Sequence, residues 1–327
     1  MPETGITLCF AFILDLLLGD PRYRYHPVRL IGALIAHLET LLRSRGADGR
    51  GGGLLMAMIT AGFTLLLFWC IGSILSWLHP VLSSLFDLFI VYSSLAIGDL
   101  LRHVEPVASG LEEGDLDRAR RALALTVGRD VRALDRWSIA RAAIETLSEN
   151  FVDGFLSPVF WYVAGASLSL PLGLRPASGG AALMLLFKAA STMDSMVGYK
   201  SERYLRFGWA GARLDDLMNF LPARISLLFL WLGALVARAG SREGIVIALR
   251  DRLKHESPNS AHPESFVAGA LGLRLGGPTV YPDGRKEKPW LGRGGSEATP
   301  AHIRKAMRLV RASAWMVILA ALFLSLI

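Results

Sequence analysis

Cysteine is scarce: the 327-residue chain has two, Cys9 and Cys70, each inside an apolar run. That excludes a disulfide framework and a cysteine zinc site, and leaves both as small packing residues. The familiar phosphate- and metal-binding signatures are missing too. There is no G-x-x-x-x-G-K-[ST] loop, no G-x-G-x-x-G, no H-E-x-x-H and no C-x-x-C. A nucleotide or metal, if one is used, has to be held by scattered carboxylates and basic side chains. The N-terminal stretch lacks a basic n-region and a small-residue cleavage site, so residues 6–18 are expected to be a retained segment and not a signal peptide. Neither an internal repeat nor a low-complexity tract is visible.

Apolar residues, by contrast, make up 52% of the chain, and the mean hydropathy is +0.41. They are grouped in runs that approach or exceed the roughly 20 residues needed to cross hydrocarbon, which points to a multi-spanning membrane protein. Lys and Arg number 35 against 28 Asp and Glu, a net charge of +7. In such a chain the excess is expected in basic cytoplasmic loops facing anionic headgroups. An anionic substrate such as a nucleotide is equally compatible. The basic residues do not interleave with aromatics on a soluble platform, so no nucleic-acid partner is expected.

In chain order, residues 6–18 are apolar except for Asp15, and lead into the turn-rich G-D-P-R-Y-R-Y-H-P-V-R. Residues 30–42 return to helical amphipathic spacing, followed by a basic, Gly-rich stretch, 43–53, that reads as a mobile linker. Residues 54–78 and 81–101 are two spans separated by His79-Pro80, a helical hairpin. Residues 102–150 change character, with Arg and Glu at helical spacing and E-E-G-D as a turn and cap; they read as amphipathic helices outside the bilayer. Apolar segments follow at 151–174, broken by Asp153, Gly154 and Pro158, at 177–193 with a single Lys188, and at 220–237. Residues 238–311 are the longest polar region, also expected outside the bilayer, and 312–327 read as a short C-terminal anchor.

Four loops, around 19–53, 102–150, 198–213 and 238–311, carry several Lys or Arg. The positive-inside rule asks for all four on one side, which simple crossings cannot provide. One or more of 151–174, 177–193 and 220–237 is therefore expected to be re-entrant or broken around a polar cavity, where irregular backbone is tolerated at membrane depth. The expected fold class is all-α: a single polytopic helical membrane domain over 1–327, with broken or re-entrant segments and amphipathic helices outside the bilayer.

Two polar constellations point to chemistry. In R-A-A-I-E-T-L-S-E-N-F-V-D-G, Arg141, Glu145, Glu149 and Asp153 recur every four residues, on one slowly drifting helix face. Such a carboxylate stripe entering an apolar segment can hold magnesium through one or two oxygens; a solvated face with i,i+4 ion pairs would have the same spacing. The second runs from 188 to 224. Lys188 lies in an apolar run, where a lysine faces a cavity or an ion partner or snorkels to the interface. Asp194 follows in T-M-D-S-M, then Lys200, Glu202 and Arg203, then Asp215, Asp216 and Asn219 within about a turn and a half. These acids suit a hard cation with attached phosphates, and Arg203 and Arg224 could clamp an anion. The plainer alternative pairs Asp216 with Arg213. Farther on, K-H-E-S-P-N-S-A-H-P-E, 254–264, suggests a tight turn at Ser257 and Asn259, with Glu264 and Ser265 opening the next helix. His255 and His262 at that spacing are weak evidence for a metal.

At these motifs the chain resembles the adenosylcobinamide-phosphate synthases of cobalamin biosynthesis. The resemblance rests on D-L-L-L-G-D-P, H-P-V-R-L-I-G, V-G-R-D, E-T-L-S-E-N-F-V-D-G, S-P-V-F-W, T-M-D-S-M-V-G-Y-K, E-R-Y, F-G-W-A-G-A-R-L-D-D, P-A-R, K-H-E-S-P-N and A-L-G-L-R-L-G-G-P, which occur in order over nearly the whole chain. Ser191 stands where the family usually has Asn, and Ala261-His262 where it has Gly-Trp, so no family role is carried to those positions.

The resemblance implies a multi-pass enzyme of the cell membrane. It would join (R)-1-amino-2-propanol or its O-phosphate by an amide bond to a propionate of adenosylcobyric acid. Amide formation from a free carboxylate is uphill, so ATP and magnesium are expected, with no haem, flavin or zinc. Glu145, Glu149, Asp153, Asp194, Asp215 and Asp216 are then candidate magnesium ligands, and Lys188, Asp194, Lys200 and His255 candidate catalytic groups. Candidate substrate or nucleotide contacts are Arg203, Arg224, Asn219, Ser257, Asn259 and Asn150. Other membrane-bound enzymes of the pathway are expected partners. A non-catalytic membrane sensor that kept the scaffold, or a corrinoid transporter, remains the alternative.

Overall fold

The computed structural model describes residues 2–20, 23–128, 130–132, 134–281 and 284–326. The chain divides into two compact units, Met1–Ala96 with Ser157–Asn219 and Ala320–Ile327, and Ile97–Leu156 with Phe220–Leu319.

The first unit holds α1 (Pro2–Leu18), α2 (Pro27–Ser44), α3 (Arg50–Leu78), α4 (Pro80–Ser94), α8 (Ser157–Ser169), α9 (Pro176–Val197) and α10 (Trp209–Met218). Prolines open α2, α4 and α9, the position where a missing N–H costs nothing and the fixed φ helps. At α4 the His79 ring also accepts the Val81 N–H at 3.2 Å. The packing of α8 on α9 depends on small residues: a Cβ on Gly165 would strike Gly179 O, and one on Gly180 would lie 2.7 Å from Tyr162 O. That is how polypeptide backbones come close without a hydrophobic driving force.

The second unit holds α5 (Ile97–Glu113), α6 (Leu116–Ala124), α7 (Arg136–Phe151), a π-helical turn (Val152–Leu156), α11 (Phe220–Val236), α12 (Ser241–Asp251), α13 (Ala261–Leu271) and all but the end of α14 (Pro300–Leu326). The E-E-G-D turn is present, with Gly114 at φ +78 and the Asp115 side chain accepting the Arg118 N–H at 2.8 Å to cap α6. Asp135 caps α7 in the same way through Ser138 N at 2.7 Å. Two antiparallel pairs, β1 (Arg274–Gly276) with β4 (Trp290–Gly292) and β2 (Thr279–Tyr281) with β3 (Gly284–Lys286), interrupt the helical pattern. Each is only three residues long, too short for an alternating pattern to stand out in sequence.

Among the described residues, five helices are long and apolar enough to cross a membrane: Arg50–Leu78, Pro80–Glu113, Arg136–Ser169, Trp209–Val236 and Pro300–Leu326. The last corrects the expected short anchor, since the basic turn 304–311 belongs to the same helix. Helix α9 is not among the five; its residues are largely buried within the protein. Broken segments are present as expected. Pro158 has no N–H for the carbonyl four residues back, and the π turn absorbs that mismatch. Near Asn219, Pro222 likewise offers no N–H to Met218 O, and the Trp161 indole donates to that carbonyl at 3.0 Å instead. Residues 43–53 are not a loose linker. α2 reaches Ser44, α3 starts at Arg50, and a Cβ on Gly52 or Gly53 would collide with Ala47 O or Phe207 O.

Candidate functional site

In the second unit the chemistry gathers on α7, the turn after α12 and the end of β1. Glu145 is buried and its Oε1 accepts the Gly276 N–H at 2.8 Å. His255 places Nδ1 3.0 Å from Ser260 Oγ and 3.9 Å from Glu264 Oε1. Its side chain is 9% exposed, and Nε2 has no hydrogen-bond partner among the described residues. That nitrogen faces the Gly276 turn, where a Cβ would lie 4.0 Å away. Burial, then the Lys288 ammonium, hold the His255 pKa below the ordinary imidazole value, against the opposing pull of Glu145 and Glu256. At neutral pH the ring is an uncharged base with one buried nitrogen that has no hydrogen-bond partner among the described residues.

The turn beside it is made possible by two glycines. Gly276 and Gly277 have φ of +76 and +79, the left-handed region that side chains disfavour. A Cβ on Gly276 would also lie 2.6 Å from Pro289 O, and one on Gly277 would collide with the Trp290 ring. Arg141 and Arg274 sit 5.5 and 5.2 Å from that ring, and Arg141 donates to Ser296 O at 2.6 Å. The stripe read from sequence is thus split: Glu145 is buried, Glu149 exposed and Asp153 half-buried on the π turn. Asn150 donates to Thr146 O at 3.0 Å.

The 254–260 segment forms the anticipated tight turn, with Asn259 N donating to Ser257 Oγ at 3.3 Å, and Glu264 lies in the first turn of α13. Arg224 donates to Asn259 Oδ1 at 3.4 Å and to Phe220 O at 2.6 Å. Asp251 is an unanticipated buried acid, 0% exposed. It receives Arg250 Nε at 2.6 Å, Lys254 Nζ at 2.7 Å and Gly292 N at 2.8 Å. Burial alone would raise its pKa; these donors outweigh burial and hold it well below the usual carboxylate range.

In the first unit, Lys188 is half-buried between Phe187, Ala189 and Ala190, which are fully buried. Asp194 lies in the last turn of α9, its carboxylate folded over Gly198. Asp215 accepts Asn219 Nδ2 at 3.0 Å, and Ser157 Oγ donates to Asn219 Oδ1 at 2.5 Å. Asp216 is 3.7 Å from Arg213, the plainer pairing allowed by the sequence, and close enough to Lys200 to feel its charge. Arg203 pairs with Glu39 at 2.9 Å, in a network with Arg43.

Among the described residues no three His, Cys, Asp or Glu side chains gather as a metal site. The acids named from the sequence are dispersed along α7, the π turn, α9 and α10. Asp194, Asp215 and Asp216 lie in the last turns of α9 and α10, where the helix dipole disfavours an acid.

The model of the CobD/CbiB protein family matches residues 8–310. This chain belongs to the CobD/CbiB family. It is 46% identical to the cobalamin biosynthesis protein CobD of Pelobacter propionicus over 84% of this chain and 80% of that protein. It is 40% identical to CobD of Klebsiella pneumoniae and 38% to CbiB of Salmonella arizonae, each over 94% of this chain and 93% of the relative. No solved structure matches it. Membership places this CobD/CbiB protein in cobalamin biosynthesis, and the five apolar helices make it a multi-pass membrane protein.

Three site residues of the CobD/CbiB chain were not singled out from sequence: Ser260, Gly276 and Asp251. The only signal for Gly276 was the L-G-G-P string, whose paired glycines mark a left-handed turn. Asp251 carried none, because D-R-L-K on an amphipathic helix looks like any solvated face.

Proposed function

We propose that the chain joins (R)-1-amino-2-propanol or its O-phosphate to a propionate carboxylate of adenosylcobyric acid, with ATP supplying the activation. The observation that carries this is His255: buried, neutral, oriented by Ser260 and Glu264 on one ring nitrogen and unengaged on the other. Amide formation needs a base for the amine's proton, and a base poised below the ordinary pKa accepts it without being pre-protonated. Ser260 bonds the ring, Glu264 lies beside it, and Glu145 fixes the Gly276 turn that its other nitrogen faces. The carboxylate oxygen displaced by the amine leaves on phosphorus; in this scheme the carboxylate takes the γ-phosphoryl group of ATP, releasing ADP, and the amine then displaces inorganic phosphate from the acyl phosphate.

Magnesium bound by two of Asp194, Asp215 and Asp216 would neutralise nucleotide phosphate charge. Lys188 and Lys200 add positive charge on the same unit, which for phosphoryl transfer is chiefly a positioning and electrostatic task. Purified chain in nanodiscs, given adenosylcobyric acid and either amine, is expected to form the amide by mass spectrometry only with ATP and magnesium both present. Turnover without ATP would overturn the activation scheme.

A further inference from the structure

Within the second unit, helix α12 turns an apolar row outward. Its inner face is fully used: Ile247, Ala248 and Asp251 are buried, and a Cβ on Gly244 would lie 2.7 Å from the Phe266 ring of α13. On the opposite side Arg242, Val246 and Leu249 recur at i, i+4 and i+7, so they share one face. Leu253 extends the row just past the helix end. Val246 is 42% exposed, Leu249 58% and Leu253 70%. An amphipathic helix in water presents its polar side to the solvent; here the outward row is aliphatic.

The place of α12 in the chain is an independent observation. At 11 residues it is too short to cross hydrocarbon, but only residues 237–240 separate it from the end of the apolar span Trp209–Val236. Arg238, with φ +51, turns the chain there, and Gly240 N donates to Ala270 O at 2.9 Å, fixing the start of α12 against α13. Four residues reach roughly 14 Å at most, so α12 begins close to the level where the span ends. Charge decides what lies against the row. Arg238 and Arg242 are exposed, and neither has a carboxylate partner among the described residues. The row itself carries no acid; Glu243, in the first turn, points from another side of the helix. A second copy docked on the row would bury Arg242 without a counter-charge, whereas at a bilayer surface the guanidinium reaches lipid phosphates. The positive end of the helix dipole lies at the same place.

We propose that α12 is an interfacial helix: Val246, Leu249 and Leu253 sit at the boundary of headgroups and acyl chains, and Arg238 and Arg242 hold the phosphates of anionic lipid. The polar region 238–311 then lies outside the bilayer only in part. The assignment does not depend on the amide-forming reaction proposed above.

The test is spin labelling of the full-length protein, in a Cys9→Ala, Cys70→Ala background, in vesicles of phosphatidylcholine and phosphatidylglycerol. Nitroxides on Val246→Cys and Leu249→Cys are expected to be relaxed more by oxygen, which partitions into lipid, than by a water-soluble nickel chelate. A nitroxide on Asp117→Cys, an exposed position of α6, is expected to show the reverse. Chelate-dominated relaxation at both Val246 and Leu249 overturns the proposal. So does dipolar broadening at Leu249 that vanishes on dilution with unlabelled protein, because it places a second copy on the row. The charge is tested by native mass spectrometry of the detergent-solubilised protein titrated with each lipid. Arg242→Gln is expected to weaken phosphatidylglycerol binding roughly fivefold and to leave phosphatidylcholine binding unchanged, which also reports a folded variant. Unchanged phosphatidylglycerol binding overturns the contact with anionic lipid.

Discussion

Glu145 accepts the backbone N–H of Gly276 at 2.8 Å, joining positions 131 residues apart. The bond fixes the L-G-G-P turn against α7 and sets the wall that His255 Nε2 faces. Glu145→Ala leaves a part-buried amide without its acceptor, a loss of about 1–3 kcal/mol. It should lower the thermal unfolding midpoint of the detergent-solubilised protein. Glu145→Gln keeps an acceptor oxygen and is expected to stay near wild-type stability while losing at least tenfold in turnover, because the charge beside His255 is gone. An Ala variant as stable as wild type would contradict this role.

For His255 the expected pattern is the reverse. His255→Gln should fold normally and lose about 10²–10⁴ in kcat, the usual range for a general base. The pH profile adds a sign. The folded pKa lies below the ordinary imidazole value, so the acid limb of the activity profile, where His255 gains its proton, is expected at lower pH than a free imidazole would place it. An acid limb at or above 6.5 would show that another group is titrating.

The helical membrane architecture was plain in the sequence, because long apolar runs and proline starts act locally. The site was legible in part. K-H-E-S-P-N gave the turn that carries His255, Ser257 and Asn259, and the acids at 194, 215 and 216 were visible as charge in apolar surroundings. What sequence could not give were partners separated by long stretches of chain: Gly276 for Glu145, Glu39 for Arg203, and Gly292 for Asp251. The even stripe at 141–153 was misleading for a physical reason. Exposure is set by what packs on each turn: Glu145 is buried against the Gly276 turn, Glu149 one turn on in the same helix is exposed, and only Asp153 lies in the π turn.

Asp251 should behave as a structural acid. Removing it takes away a partner from Arg250, Lys254 and Gly292 N, and Asp251→Asn is expected to cost about 1–3 kcal/mol without changing the KM for either substrate more than twofold. Its pKa is depressed in the fold. The stability it contributes is therefore complete above about pH 4, the ordinary carboxylate value, and is lost as pH falls toward the depressed value. Unfolding midpoints measured from pH 7 to pH 3 should drop less steeply at the acid end in the Asn variant than in wild type.

The activation of the carboxylate can be followed directly with adenosylcobyric acid labelled with ¹⁸O in its free carboxylate. Incubated with the full-length protein, ATP, magnesium and amine, the reaction should transfer one labelled oxygen to inorganic phosphate for each amide formed, read by mass spectrometry of the phosphate. Amide formed with unlabelled phosphate, or with the label in AMP, would contradict activation through an acyl phosphate.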